Sequence, residues 1–172
     1  MNESTLAATK GATLKSNATN QFLTFALNGE QFAIPILAVQ EIRGWEAISR
    51  TPRSPDYVLG VMNLRGAIIP ILDLRTRLGM DPGERTSTSV VIVVRVDTSA
   101  AAAVTVGCLV DAVSDVVSLA ADTERAAPSA CGSVDMHFLA GMATIDNKLV
   151  MLLDLVRLVE TSIAGGLASF AA

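Results

Sequence analysis

The stretch Asn63–Arg75, with the sequence NLRGAIIPILDLR, predicts a β-hairpin that continues into a short helix. The dipeptide Arg65-Gly66 suits a tight reversal of the chain, and the apolar residues after it favour a strand. Asp73 has the side chain of a helix N-cap, so the helix is expected to begin at the next residue.

The same unit occurs a second time in the chain. A constant shift places residues 57–78 on residues 138–159 without a gap, and Leu72-Asp73-Leu74 then falls on Leu153-Asp154-Leu155. The turn Arg65-Gly66 falls on Asp146-Asn147, so the two turn tips carry opposite charges. A duplicated scaffold with unlike surfaces favours binding over catalysis.

Further strands are predicted on both sides of this unit. Asn28-Gly29 joins two runs of alternating apolar residues, which is the strongest short-range hairpin signal. Pro35, near the end of the second run, predicts an edge strand or a bulge. The other predicted segments are Ala38–Arg43 (strand or single helical turn), Val61–Leu64, Ala67–Leu72, Val90–Val96, Ala102–Val110, Val113–Leu119, Met142–Ile145 and Lys148–Leu153.

The predicted domain organisation is one folded domain between two tails. Residues 1–20 are expected to be a disordered tail, residues 21–160 the domain, and residues 161–172 a C-terminal tail. A polar linker near residues 80–89 separates two halves with about five short strands each. The expected fold class is all-β, mainly β with short helices, as two small five-stranded barrels that share an apolar layer.

Composition excludes several functions. The net charge is −4, and Trp45 and Tyr57 are the only large polar aromatic residues, so a nucleic-acid-binding face is not expected. The positive charge is mostly arginine and is concentrated in residues 40–80, a bias that suits ordered ion pairs and protein interfaces. The longest apolar stretch is too short to span a bilayer, and the beginning of the chain lacks the apolar region of a signal peptide.

Residues that could carry catalysis are sparse. The two cysteines, Cys108 and Cys131, form neither a disulfide framework nor a metal site, and a reduced cytoplasmic setting fits them. Cys108 is predicted to be a core residue. His137 is the only histidine and lies in a predicted loop, and Asp111 and Asp115 are interpreted as turn and solvated residues. We therefore expect no cofactor, no metal and no enzymatic activity.

A few residues are candidates for partner binding. Arg65 is expected to be exposed at its hairpin tip, and Asn63 points to the same face of the strand. A solvated turn residue is the alternative interpretation of Arg65, and the same applies to Glu41 at the end of its segment. The neighbouring Val39 and Ile42 are assigned to the core rather than to an interface.

From Phe22 to Val159 the chain closely resembles the CheW family of chemotaxis coupling proteins. The resemblance is most specific in Val39–Gly44 (VQEIRG), in Gly60–Arg75 (GVMNLRGAIIPILDLR) and in Val110–Val116 (VDAVSDV). It implies two SH3-like barrels packed around a pseudo-twofold axis. Residues 80–89 and 120–137 match the family pattern poorly.

The resemblance also implies function and partners. Proteins of this family join the cytoplasmic tips of methyl-accepting chemoreceptors to the histidine kinase CheA, through the CheW-like regulatory domain of the kinase. Ring assembly with other CheW-like domains is a further implication. By residue-by-residue comparison, Arg65, Glu41 and Val39 match family positions implicated in receptor or kinase contact.

The resemblance also bears on localisation and on the signalling pathway. The chain is expected in the cytoplasm, associated with receptor arrays through its partners and not inserted in the membrane. A CheW-like scaffold of a twitching-motility or surface-sensing pathway is the alternative to a flagellar role. A regulator of the CheV kind is disfavoured, because the sequence after Glu160 is too short for a phosphoacceptor domain.

Overall fold

The computed structural model describes residues 21–46, 48–81, 83–99, 102–119 and 134–165. Its strands are β1 (Gln21–Leu27), β2 (Glu30–Pro35), β3 (Val39–Gly44), β4 (Val58–Leu64), β5 (Ala67–Asp73), β6 (Val90–Val96), β7 (Val104–Val110), β8 (Ala112–Ser118), β9 (Leu139–Ile145) and β10 (Lys148–Leu153). The helices are α1 (Leu74–Arg77) and α2 (Leu155–Ala164), and single 3-10 turns cover Ile36–Ala38 and Met136–Phe138. The predicted, mainly β fold class is confirmed.

Three hairpin turns share one backbone geometry. Both turn residues have positive φ in Asn28-Gly29 (50° and 81°), in Arg65-Gly66 (51° and 89°) and in Asp146-Asn147 (51° and 62°). Two consecutive left-handed residues make the type I′ turn, whose twist matches that of the flanking strands. Turn chemistry therefore sets the register of all three predicted hairpins, which the structure confirms.

The ten strands form two five-stranded sheets. The terminal sheet has the order β8-β1-β2-β10-β9, and the central sheet has the order β3-β6-β7-β5-β4. The expectation of one barrel from each half of the chain is therefore wrong in its strand assignment, because β1 and β2 pair with strands from the end of the chain. The predicted linker, residues 80–89, connects α1 to β6 and so lies between two strands of the central sheet.

The two sheets are one repeat in circularly permuted form. The central sheet consists of the consecutive strands β3, β4, β5, β6 and β7. The strands that occupy the same positions in the terminal sheet are, respectively, β8, β9, β10, β1 and β2. Each sheet has one parallel pair, β5 with β7 and β10 with β2. Each also has a register shift in the ladder to its outer strand, in β3–β6 and in β1–β8. Residues Ala38–Gly44 therefore correspond to Ala112–Ser118.

Pro35 does not mark an edge strand. β2 lies between β1 and β10 in the terminal sheet, so the edge prediction is wrong. The proline is tolerated because it is the last residue of β2 and because the parallel ladder to β10 ends at Ala33. The chain then leaves the sheet through the 3-10 turn, and no ladder hydrogen bond to β10 is lost.

The core of the described residues has three parts. The largest cluster lies between the sheets and includes Phe25, Phe32 and Ile34 from the terminal sheet, with Leu72 and Ile92 from the central sheet. The rings of Phe25 and Phe32 stack with centroids 5.9 Å apart. Each sheet also has a smaller cluster of its own. The predicted apolar layer shared by the two barrels is thus confirmed.

Arg77 lies at the junction of the two repeats. Its Cζ is 4.4 Å from the ring centroid of Tyr57 and 4.5 Å from that of Phe138. Tyr57 and Phe138 are equivalent positions of the repeat, so one guanidinium is held between two matched aromatic rings. The position equivalent to Arg77 is the fully buried Leu158, so the junction itself is asymmetric.

A buried arginine ties the two sheets together at another point. Arg75 is 4% exposed, and its guanidinium lies 3.8 Å from the Asp73 carboxylate and 3.3 Å from that of Asp111. Its Nη2 also donates to the Gly83 carbonyl at 3.1 Å. Asp111 in turn accepts from the Asn28 amide of the β1–β2 turn at 2.7 Å. Asp111 lies in the turn between β7 and β8, as interpreted, but the solvated part of that interpretation is corrected, since its carboxylate joins the sheets.

Both helices begin at the predicted caps. The side chain of Asp73 accepts from the Arg75 amide and that of Asp154 from the Arg157 amide. α2 ends at Ala164, so it runs into the segment that the sequence assigns to the tail from residue 161. Glu160 on this helix accepts hydrogen bonds from the amide and hydroxyl of Ser99, and these bonds lower the pKa of its carboxyl.

Replacement of Arg75 tests the junction between the sheets. Arg75→Met leaves the carboxylates of Asp73 and Asp111 without their buried cation, so we expect a loss of about 3 kcal/mol in the free energy of unfolding. Urea unfolding followed by circular dichroism measures it. Arg53→Met, at an exposed turn arginine, is the control and should change stability by less than about 0.5 kcal/mol. Equal stability of the two variants would contradict this account of the junction.

The thiol of Cys108 offers a second test of the core. It is fully buried, and burial raises its pKa to about 12, so the reactive thiolate is scarce at neutral pH. In a Cys131→Ser variant, Ellman's reagent at pH 8 should react with Cys108 only as the protein opens, and at once in concentrated guanidinium chloride. Rapid stoichiometric reaction of the native protein would show that the layer between the sheets is open.

Candidate functional site

Arg65 stands at the tip of the β4–β5 hairpin, as predicted. Its side chain is 83% exposed, yet its Nη2 lies 3.0 Å from Oε2 of Glu41 on β3. The structure therefore brings together two of the residues singled out in the sequence, from segments more than twenty positions apart. An exposed ion pair of this kind adds about 1 kcal/mol or less to stability. The ion pair therefore orients the Arg65 side chain and contributes little to the stability of the fold.

Glu41 belongs to a short row of alternating charges. Its Oε1 lies 3.8 Å from Nη1 of Arg43, and Nη2 of Arg43 lies 3.4 Å from Oε1 of Glu46. This row runs along β3, an outer strand of the central sheet, and ends at the tip of the hairpin that contains the other outer strand. The row thus spans the seam where the two sheet edges approach each other.

The backbone closes the same seam. The Ser49 amide donates to the Val61 carbonyl at 3.3 Å, and the Val61 amide donates to the Ser49 carbonyl at 3.0 Å. Val61 is on β4, and Ser49 is in the connection that follows β3. The close approach requires Gly60, because a Cβ there would collide with the Ser49 carbonyl. Closure of the sheet into a barrel explains why Arg65 reaches Glu41.

Asn63 supports the turn on which Arg65 sits. Its Oδ1 accepts a hydrogen bond of 2.9 Å from the Gly66 amide. The side chain is exposed, but its oxygen is engaged within the hairpin. Asn63 therefore sets the conformation of the tip, and its assignment to partner binding stays a prediction.

Val39 and Ile42 differ in burial. Val39 is half-buried and packs against the core between the sheets, whereas Ile42 is 44% exposed. The assignment of Ile42 to the core is therefore wrong. Half-buried and exposed residues alternate strictly along β3, so Val39 and Ile42, three positions apart, point to opposite faces of the strand. The period-2 alternation of a strand predicts this difference, and the assignment of both residues to the core overlooked it.

The equivalent site of the terminal sheet has a different charge. Asp115 takes the place of Glu41, and Asp146 takes the place of Arg65. Both line a cavity of about 190 Å³ with Lys148, and among the described residues neither makes an ion pair. The hairpin tip of the central sheet thus carries an arginine–glutamate ion pair, and the tip of the terminal sheet carries two carboxylates with Lys148 beside them. The prediction of unlike tips rested on residues 65 and 146, and the facing strand adds no further charge difference, because Glu41 and Asp115 are both acidic.

Apolar exposure, in contrast, follows the repeat. Ile42 and Val116 are equivalent and are 44% and 53% exposed, and Ile68 and Leu149 are equivalent and are 59% and 55% exposed. Each barrel therefore carries a matched pair of uncovered apolar side chains. Ile68 and Leu149 lie in continuous apolar runs, so alternation in the sequence could not reveal their exposure.

A groove runs between the two sheets. It has a volume of about 520 Å³ and a mainly apolar lining from both sheets and the start of α2, with Arg95, Asp97 and Asp154 as its charged members. Leu37, which is 77% exposed, and Val156, which is 43% exposed, stand at its walls. Leu37 lies in the 3-10 turn directly before Val39, so the groove begins next to the strand that carries Glu41.

The described residues hold no constellation typical of catalysis or metal binding. No group of three or more His, Cys, Asp or Glu side chains among them is placed to bind a metal ion. Every buried polar side-chain atom described has a hydrogen-bond partner. The expectation of a non-enzymatic protein stays a prediction. None of the described helices has the length and apolar character needed to cross a membrane.

Comparison with known proteins agrees with this architecture. The family model described as CheW-like domain matches residues 21–162. The chain belongs to the CheW-like domain family. The family resemblance drawn from the sequence is thus confirmed, and the matched region covers both sheets and most of α2.

The relatives carry corresponding names. A protein described as probable chemotaxis protein CheW from Rhizobium etli is 38% identical over 78% of this chain and 84% of its own length. Chemotaxis protein CheW from Rhizobium meliloti is 36% identical over 86% and 92%. The crystal structure of the scaffolding protein TtCheW from Thermoanaerobacter tengcongensis superposes with a TM-score of 0.71 at 28% identity, covering 81% of this chain and 87% of that one.

Substitution of Asn63 tests its role at the tip of this CheW-like domain. Asn63→Ala removes the acceptor for the Gly66 amide, so we expect a loss of about 1 kcal/mol in unfolding free energy. Asn63→Asp keeps an acceptor oxygen and should retain most of the stability. Thermal unfolding of the two variants makes the comparison. A similar loss in both would mean that the Asn63–Gly66 hydrogen bond does not stabilise the turn.

Proposed function

We propose that this chain is a non-enzymatic chemotaxis adaptor that couples chemoreceptor cytoplasmic tips to the histidine kinase CheA in signalling arrays. The observation that carries the proposal is the match to the CheW-like family over both barrels, together with relatives named as chemotaxis CheW proteins. The scaffold title of the superposed structure supports the same role. The protein acts in the cytoplasm and reaches the membrane only through its partners.

The mechanism needs two surfaces that differ. The hairpin tip of Arg65 with Glu41, and the tip of Asp146 with Asp115, occupy equivalent places but carry different charge. A partner whose charges complement one tip therefore meets like charges, or lacks an ion-pair partner, at the other tip. The partner can thus distinguish the two faces. The repeat supplies two docking faces, and the tip charges make them non-equivalent.

The groove between the sheets suits the receptor. A receptor tip is a helical hairpin, and an apolar groove with walls from both sheets accepts an apolar helical surface. Leu37 and Val156 supply exposed apolar contacts, and Val39 and Glu41 follow on the adjoining strand. The regulatory domain of the kinase then docks on the outer face of a barrel, where Ile68 or its counterpart Leu149 is uncovered. The same outer faces serve ring assembly with other CheW-like domains.

Each partner interface is small, and the overall affinity comes from the many linked contacts of the array. Interfaces of roughly 1,200 Å² or less are individually weak. When one adaptor holds a receptor and a kinase at once, the second contact forms at a high effective concentration. Change at one tip is then expected to disrupt assembly without unfolding the protein.

Charge reversal at Arg65 tests the proposal. Arg65→Glu breaks the ion pair with Glu41 and should change the free energy of unfolding by about 1 kcal/mol or less, because the pair is exposed. Receptor-dependent activation of CheA should be lost. Circular dichroism, melting and a reconstituted kinase assay with receptor membranes measure the two effects.

Two further variants sharpen the result. Arg53→Glu makes the same charge change at an exposed turn and should activate the kinase normally. Arg65→Glu combined with Glu41→Arg rebuilds the ion pair with reversed polarity, and it should remain inactive if Arg65 contacts the partner directly. Normal activation by Arg65→Glu would refute the role of Arg65, and absence of activation by the wild-type protein would refute the adaptor function itself.

A further inference from the structure

A cleft on the central sheet has no part in the adaptor surfaces described above. It has a volume of about 490 Å³ and lies between the β3–β4 connection and the segment before β6. Trp45, Ile48, Val58 and Leu59 give it an apolar floor, and Thr51 and Ser54 add hydroxyl groups. This size is within the range of small-molecule sites, which combine apolar walls with a few polar groups.

Two arginines give the cleft a positive character. Arg50 and Arg85 line it, and among the described lining residues Asp56 is the one acid. Within the described ranges, neither arginine lies within ion-pair distance of a carboxylate. In a chain of net charge −4, two unneutralised guanidinium groups at one cleft are available for an anion.

One of these guanidinium groups is already positioned. The Cζ of Arg85 lies 4.1 Å from the ring centroid of Trp45, and Trp45 itself packs against the core of the central sheet. Stacking on a half-buried indole fixes the plane of the guanidinium and leaves its outer face and its donors toward the cleft. A second cleft of about 590 Å³ also includes Arg85, Asp56 and Leu59, so Arg85 stands where the two meet.

The part of the β3–β4 connection that lines the cleft is held in place by hydrogen bonds of its own. Backbone hydrogen bonds join Ser49 to Val61 on β4. The Val58 amide donates to the Pro55 carbonyl at 2.9 Å, and the Ser54 hydroxyl donates to the Thr51 carbonyl at 2.8 Å. Pro55 further restricts the backbone. A preformed wall lowers the ordering cost of binding, so a small ligand can bind here without a large rearrangement.

We propose that this cleft binds a small organic anion, namely a phosphate or carboxylate group attached to a flat ring. The anionic group lies between Arg50 and Arg85, where paired guanidinium donors match its oxygens. The ring lies on the outer face of the Arg85 guanidinium and against the apolar wall of Pro55 and Leu59. This site is separate from the Arg65 tip and from the groove between the sheets, so it does not depend on the proposed adaptor function.

The single tryptophan makes the proposal directly testable. Trp45 is the only tryptophan of the chain, so its indole N–H gives one resonance in a ¹H–¹⁵N spectrum of the full-length protein. Titration with adenosine monophosphate and, separately, with benzoate should shift this resonance saturably. Adenosine, which lacks the charge, and inorganic phosphate, which lacks the ring, should each bind at least about tenfold more weakly. The stronger of the two ring anions identifies the preferred anionic group.

Matched variants locate the site. Arg50→Gln and Arg85→Gln should each weaken binding by about tenfold, since each removes charge-assisted hydrogen bonds. Arg53→Gln makes the same charge change at an exposed arginine outside the lining and should bind as the wild type does. Absence of a saturable shift at millimolar ligand, or equal binding by all three variants, would overturn the proposal. Kinase activation measured in parallel reports on the adaptor function independently.

Discussion

The buried guanidinium of Arg75 fixes how the two sheets meet. A charge removed from water must be compensated, and here the carboxylates of Asp73 and Asp111 and the carbonyl of Gly83 surround it. Asp111 stands where the chain passes from the central sheet into β8, and it also binds the β1–β2 turn through Asn28. The position of the terminal sheet therefore depends on the partners of one arginine. The groove that both sheets line depends on the same contacts.

The repeat explains both the similarity and the difference of the two barrels. Backbone features recur, namely the type I′ turns, the parallel pair and the shifted ladder of the outer strand. The side chain at the hairpin tip does not recur, since Arg65 corresponds to Asp146, whereas the facing position is acidic in both copies, as Glu41 and Asp115. A fold built from two copies is free to vary the exposed positions because they contribute little to stability. Function in a protein of this kind therefore resides in the departures from the repeat.

Local chemistry made much of this structure predictable. The hairpins at Asn28-Gly29 and Arg65-Gly66 and the cap at Asp73 depend on residues close together in the chain, and sequence patterns report such contacts well. Strand pairing is different, because β1 and β2 find β8 and β10 through contacts that no local pattern encodes. The same limit hid the role of Asp111, because its partner Arg75 is distant in sequence. The pairing of Arg65 with Glu41 also required closure of the barrel.

The permuted strand order has a consequence for the order of folding during synthesis. The central sheet is contiguous, so it can close as soon as Val110 has left the ribosome. The β1–β2 hairpin is made first, yet its partner strands within its own sheet arrive only from Ala112 onward. In the interval its apolar face, with Phe25 and Phe32, can be covered only by the central sheet. The earlier barrel therefore serves as the template on which the later one is assembled.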